Sequence, residues 1–202
     1  IGLFGYVQNA ILQNIGVANI NINVTLQDSV GGLVGTAGGT TVIKNAYTTG
    51  TISGHDRVGG LVGLFNSNSQ LSSAKLINSY STVSIIGSAN IGGLVGDLEE
   101  ITTQNNYANG NIVSSNALSC YAGGLYGNSY GSIINTSYAS GNVTGNNINV
   151  GGIIGLSEAD TISNVYSTGN ITGTNRVGGL IGSFGDSSAS LTKSYASGVI
   201  SG

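Results

Sequence analysis

Gly31-Gly32-Leu33-Val34-Gly35 is the stretch whose recurrence decides the fold of this chain. It returns at Gly59 to Gly63 and at Gly92 to Gly96. Variants follow: Gly-Gly-Leu-Tyr-Gly from Gly123, Gly-Gly-Ile-Ile-Gly from Gly151 and Gly-Gly-Leu-Ile-Gly from Gly178, with a shortened Gly2-Leu3-Phe4-Gly5 at the front. The Leu or Ile of the seven copies falls at 3, 33, 61, 94, 125, 153 and 180, giving steps of 30, 28, 33, 31, 28 and 27 residues. A period of that size belongs to solenoids and arrays, in which each supersecondary unit buries its apolar face on the next.

About half a period after each phrase, from the second copy onward, stands a tyrosine: Tyr47, Tyr80, Tyr107, Tyr138, Tyr166 and Tyr195. Ile43 to Gly54 shows the surrounding pattern whole: an apolar residue, Asn, Tyr, two small residues, Gly, any residue, Ile or Val, Ser or Thr, Gly. Five residues after each tyrosine comes an unbroken β-branched column of Ile52, Ile85, Ile112, Val143, Ile171 and Ile200. Such columns imply stacking, because one side chain type is wanted wherever a unit lies on its neighbour.

The unit reads as strands. Its apolar stretches are short, β-branched and bounded by Gly, Asn and Ser, and none holds a helical spacing. Asn, Ser, Thr and Gly dominate the chain, and all are weak helix formers. Three strand-sized pieces fit each period, at Val30 to Val34, Ile43 to Thr48 and Thr51 to Ser53. The expected fold is all-β: a parallel β-solenoid of about seven coils, 27–33 residues each, with roughly three short strands per coil. At about 4.8 Å per coil the rod is roughly 30 Å long. The units lie near 1–29, 30–57, 58–90, 91–121, 122–149, 150–176 and 177–202, one repeat array that reads as a segment of a longer protein. Glycine, at 35 of 202 residues and without a collagen period, reads as turn and close-approach glycine. Periodic aliphatic columns set the chain apart from low-complexity disorder.

The glycine phrase poses a puzzle. Strand alternation puts Val30 and Val34 on one face and Leu33 on the other, yet both columns are apolar in every copy. A glycine-assisted bend turns both inward. The other reading leaves Leu33, Leu61, Leu94, Leu125, Ile153 and Leu180 facing out, as an interaction surface for a partner or a neighbouring rod.

Charge is sparse, with five Lys or Arg against eight Asp or Glu and a formal net charge of −3. There is no basic stripe with aromatics, which argues against nucleic acid as a partner. No apolar run is long enough to span a membrane, so no insertion is expected in this segment. Asp97, Glu99, Glu100, Glu158, Asp160 and Asp186 follow the glycine phrases. Their oxygens offer a weak possibility of calcium, but the spacing matches no calcium loop and the reading is solvated loop charge. Arg57 and Arg176 share one place, two residues before a Gly-Gly pair, with no role legible beyond surface solubility. His55 is the single histidine, beside Asp56, with no nucleophile motif around it. Neither a catalytic residue nor a metal site nor a cofactor is assigned. Cys120 is alone and forms no internal disulfide.

The repeated G-G-[LI]-[VIY]-G, followed by N-x-Y-x-x-G-x-[IV]-[ST]-G, resembles the GLUG motif repeats of bacterial surface proteins. That family includes large adhesins and the non-catalytic regions of immunoglobulin A1-cleaving metallopeptidases. The resemblance covers essentially the whole chain and departs in the first unit, where Gly16 replaces the tyrosine. It implies an extracellular or cell-surface repeat region with a stalk, adhesive or assembly role, and no family catalytic residue maps here because HExxH is absent.

Three functions are carried forward from this reading. The leading one is a rigid non-catalytic rod or fibre-forming subunit whose partners are other copies of itself or a cell-surface or matrix ligand, including end-to-end or filament assembly. The second is an ice- or carbohydrate-binding face built from the hydroxyl column Thr49, Thr82, Ser140, Thr168 and Ser197, interrupted at Asn109. The third is a non-catalytic segment of a surface peptidase.

Overall fold

The computed structural model describes residues 1–68, 73–115, 121–146 and 149–202. Cys120 lies outside the described residues. The chain winds as a parallel β-solenoid with three faces. Sheet A has seven strands, Phe4–Gln8, Val34–Gly38, Val62–Asn66, Val95–Glu99, Tyr126–Tyr130, Ile154–Glu158 and Ile181–Gly185, stacked in chain order. Sheet C has six, from Val30–Gly31 to Val177–Gly178, also in order. Sheet B carries the tyrosine half of every repeat, in pieces such as Val42–Lys44 and Tyr47–Ser53. The path of a turn is C, A, B, and each strand pairs in parallel with its counterpart one repeat away, as in Val34↔Val62, Tyr47↔Tyr80 and Val58↔Ile91.

The glycine phrase is the corner between sheets C and A. The expected strand Val30 to Val34 is two strands on two faces, broken at Gly32-Leu33. At the break, the carbonyl of Leu61 accepts hydrogen bonds from the amides of both Leu33 (3.0 Å) and Val34 (3.1 Å), and Leu94 does the same for Leu61 and Val62. Two successive residues therefore point inward, because the chain turns between them. Leu33, Leu61, Leu94, Leu125 and Ile153 are completely buried and Leu180 is partly buried, packed against the same core. This corrects the outward stripe. The leucine column is core, and the physical reason is the bend permitted by the glycine pair.

The second glycine of the phrase sets the cross-section. A Cβ on Gly93 would collide with the carbonyl oxygen of Gly124 and lie 2.8 Å from the Ala108 methyl across the coil. Gly60 faces Ser81 and Gly124 faces Ala139 in the same way. The residue after each tyrosine is small for this reason: at that level the two walls of the coil touch. The pinch divides the interior into two hydrophobic columns. One runs between sheet A and the first part of sheet B and includes Leu33, Val34, Ile43, Phe65 and Leu98. The other lies by sheet C and holds Val30, Ile52, Val58, Ile85, Ile112, Val143 and Ile171. The β-branched column five residues after the tyrosines thus lines the second chamber.

Sheet B is bent where the repeat carries asparagine. The expected strand Ile43 to Thr48 is interrupted at Asn45, whose φ of 52° is left-handed. Asparagine tolerates that conformation because its short amide bonds locally. The strand Val34–Gly38 and its counterparts extend sheet A beyond the expected boundary. Their inward residues, Ala37, Phe65, Leu98, Ser129 and Ser157, keep no constant residue type and hide the strand from a search for pure columns.

Candidate binding face

The outward side of sheet B carries three parallel columns. At its centre the six tyrosines form a continuous ladder with ring centroids 5.3, 4.7, 5.0, 4.9 and 5.2 Å apart and planes within 9° of parallel. In-register pairing imposes this arrangement, since the strand spacing of about 4.8 Å is also a stacking distance for rings. The rings of Tyr47 to Tyr166 are half-buried, leaving edges and hydroxyls toward solvent, and Tyr195 is exposed. Burial raises the phenol pKa of Tyr107 and Tyr138, with further upward pushes from neighbouring tyrosines, so both remain protonated donors at neutral pH. Gly16 ends the ladder in the first repeat: a side chain there would overlap the ring of Tyr47.

Two residues before each tyrosine runs a carboxamide ladder. The side-chain amide of Asn45 donates to Asn14 Oδ1 (2.9 Å), that of Asn78 to Asn45 (3.3 Å) and that of Asn105 to Asn78 (3.1 Å). These four residues have φ between 50° and 56°. Thr136 takes the next rung at φ 48°, and the ladder is interrupted there. Asn164, one rung further, donates instead to Asn135 Oδ1 at 2.9 Å. The N-x-Y spacing in the sequence signals this ladder, although a hydrogen-bonded column is not evident from spacing alone.

On the other side of the tyrosines stands the hydroxyl column. Thr49 is half-buried, and Thr82, Ser140, Thr168 and Ser197 are exposed. Asn109 occupies the interruption and accepts a hydrogen bond from Ser140 Oγ at 2.9 Å. Thr49 Oγ1 accepts from the Asn19 amide at 2.9 Å, where the first repeat bulges.

The acidic residues part company with the sequence expectation. Asp160 is fully buried at the corner between sheets A and B, where its carboxylate accepts from the Ser132 amide (2.8 Å) and the Ser157 hydroxyl (2.6 Å). Burial pushes its pKa up to about 6 against the pull of those donors. Asp97, also buried, is raised by desolvation while the Asn128 amide (2.9 Å) holds it down, and Glu99 is raised by burial and by the Asp97 charge. The solvated-loop reading is therefore corrected at Asp160 and Asp97, whose side chains fold back onto the coil. It fits Asp186, exposed and lowered mainly by the Ser188 amide. His55 Nδ1 lies 2.9 Å from Asp28, and Arg57 lies 3.7 Å from Asp28 and 3.5 Å from Asp56. Arg57 and Arg176 both adopt left-handed φ, 49° and 41°, where the chain enters sheet C. Among the described residues no group of three or more His, Cys, Asp or Glu side chains is placed to hold a metal, and no helix is long and apolar enough to cross a membrane.

The coil path, the glycine corner and the tyrosine ladder together define a parallel β-solenoid built from one repeated turn. The GLUG motif is matched directly at residues 28–53 and 146–172, each window following the path from sheet C through sheet A into sheet B. Over 75 residues, 37% of this chain, the sequence is 41% identical to Halomucin of Haloquadratum walsbyi (strain DSM 16790 / HBSQ001). That match spans only 1% of Halomucin's length.

Proposed function

We propose that this chain is a non-catalytic, extracellular structural module: a rigid repetitive rod that spaces or assembles parts of a surface protein. The observation that carries the reading is the register of sheet A, which runs from Phe4 through Val34, Val62, Val95, Tyr126 and Ile154 to Ile181 without a slipped pairing. With every coil hydrogen-bonded to the next, bending the rod means breaking backbone pairs. The GLUG motif and the likeness to a protein named as a mucin support placement at the cell surface. Partners of this kind of rod are other copies or a matrix ligand, met along its faces. Electron microscopy combined with sedimentation over a concentration series tests the proposal. Short rods at every concentration identify a spacer and regular filaments an assembly subunit. A compact sphere or a flexible coil would overturn the reading.

A further inference from the structure

The carboxamide ladder is broken at one rung, and the break coincides with a groove. Between the asparagine and tyrosine columns a shallow channel is lined by Tyr107, Tyr138 and Tyr166 on one side and by Asn105, Thr136 and Asn164 on the other. Thr136 is shorter than the asparagine it replaces, so Asn105 Oδ1 receives no amide from the next coil, while Asn164 is drawn aside to Asn135. The rung is also a strained one. A β-branched residue at φ 48° is an outlier where asparagine is at ease, and strain of this kind gathers at functional positions.

We propose that this notch binds a neutral linear glycan, a β-1,4-linked hexose chain lying parallel to the rod axis. Three features select that class. The lining is tyrosine, asparagine and threonine, without a charged side chain, so it offers donors and acceptors to hydroxyl groups and no opposite charge to a phosphate or an ammonium. The rungs repeat at 5.0 and 4.9 Å from Tyr107 to Tyr138 to Tyr166, close to the length of one hexose unit in an extended chain. Successive sugars therefore come level with successive phenol hydroxyls, and the free Asn105 carbonyl adds an acceptor at the break. Because the tyrosine faces are stacked on one another, recognition runs through ring edges and hydroxyls, and affinity accumulates with chain length. The site goes beyond the rod function and does not depend on it.

The test is a titration with cellohexaose and cellobiose, followed by calorimetry and by tyrosine emission, which no tryptophan obscures in this chain. Cellohexaose is expected to bind about tenfold or more tighter than cellobiose, since only the longer chain spans three rungs. Thr136→Asn restores the ladder and fills the notch. It is expected to weaken cellohexaose binding by about tenfold while raising the melting temperature, a combination that general damage to the fold does not produce. Tyr138→Phe keeps the stack and removes one hydroxyl, and a roughly threefold or larger loss with an unchanged circular dichroism spectrum is expected. Absence of cellohexaose binding into the millimolar range, equal affinity for the two sugars, or wild-type binding by either variant would overturn the proposal.

Discussion

In the turns that pass through Phe65 and Leu98, the chamber beneath sheet A is filled with hydrocarbon; in the turns through Ser129 and Ser157, the same inward column is hydroxyl. The change has company. Tyr126 replaces the valine of Val62 and Val95, and its hydroxyl bonds Thr103 across the core at 3.1 Å, with burial holding its pKa up at about 12. The corner position occupied by Ile101 becomes Ser132 and then Asp160, as the pairings of the adjoining strands show. Across the pinched waist the β-branched column does not change in this way: Ile85, Ile112, Val143 and Ile171 continue as aliphatic residues. One chamber holds the aliphatic column while the other varies, and the glycine corner and the tyrosine ladder are common to both regions. The frame is thus set by backbone approach and turn chemistry, and the filling of the sheet A chamber tunes stability.

That comparison is most sharply broken at the frame. Gly93→Val and Gly124→Val, one on each side of the change in filling, each drive a side chain into a neighbouring carbonyl. Both are expected to cost more than about 4 kcal/mol by denaturant unfolding, with nearly the same loss in each. A large difference between them would mean that the filling also governs the waist. Next comes the filling itself. Leu98→Ser places in the apolar region the residue that its neighbour Ser129 already is, and a loss of about 3–4 kcal/mol is expected, since the fully buried leucine leaves a cavity and an unpaired hydroxyl behind.

The polar region should be singled out by pH. Asp160 has a folded pKa raised from 3.8 to about 6, so the folded chain binds this proton more tightly than the unfolded one. The stabilisation is complete below about pH 4 and is lost as pH rises through 6. Relative to Asp160→Asn, wild type is expected to gain up to about 3 kcal/mol on acidification from pH 7 to pH 4. Thermal melts of the two proteins across that range measure the difference, and parallel curves would show the carboxylate to be solvated. The smallest effect is expected on the exposed ladder: Asn78→Ala removes two rungs of hydrogen bonding and places alanine at φ 50°, for about 1–2 kcal/mol. A null result there would leave the glycine corner and the tyrosine stack as the parts that hold the frame.

The repeat period, the all-strand character of the described residues and the tyrosine and isoleucine columns are legible in the chain because stacking demands the same side chain at the same level. The leucine of the glycine phrase was ambiguous for a physical reason: alternation is a rule for straight strands, and Leu33-Val34 sits at a corner where it does not hold. The Val34–Gly38 strand is hidden because the inward residue of its column changes from alanine to phenylalanine, leucine and serine along the coils. Asp160 looked like loop charge because its two donors, Ser132 and Ser157, reach it only after the coils are stacked. At the candidate face, the hydroxyl column was visible as sequence, while the broken rung at Thr136 required the asparagine ladder on either side to be seen as a ladder.

The waist has a mechanical consequence. Hydrogen bonds between coils point along the rod, so tension applied at its ends acts on the terminal coil first, and the coils peel one after another. Each step of 27 to 33 residues that contributes about 4.8 Å of rod releases about 90–110 Å of extended chain, a roughly twentyfold lengthening. Under load the array therefore behaves as a coiled tether that lengthens in quanta, with the pinched glycine contact of each turn as the catch that lets go.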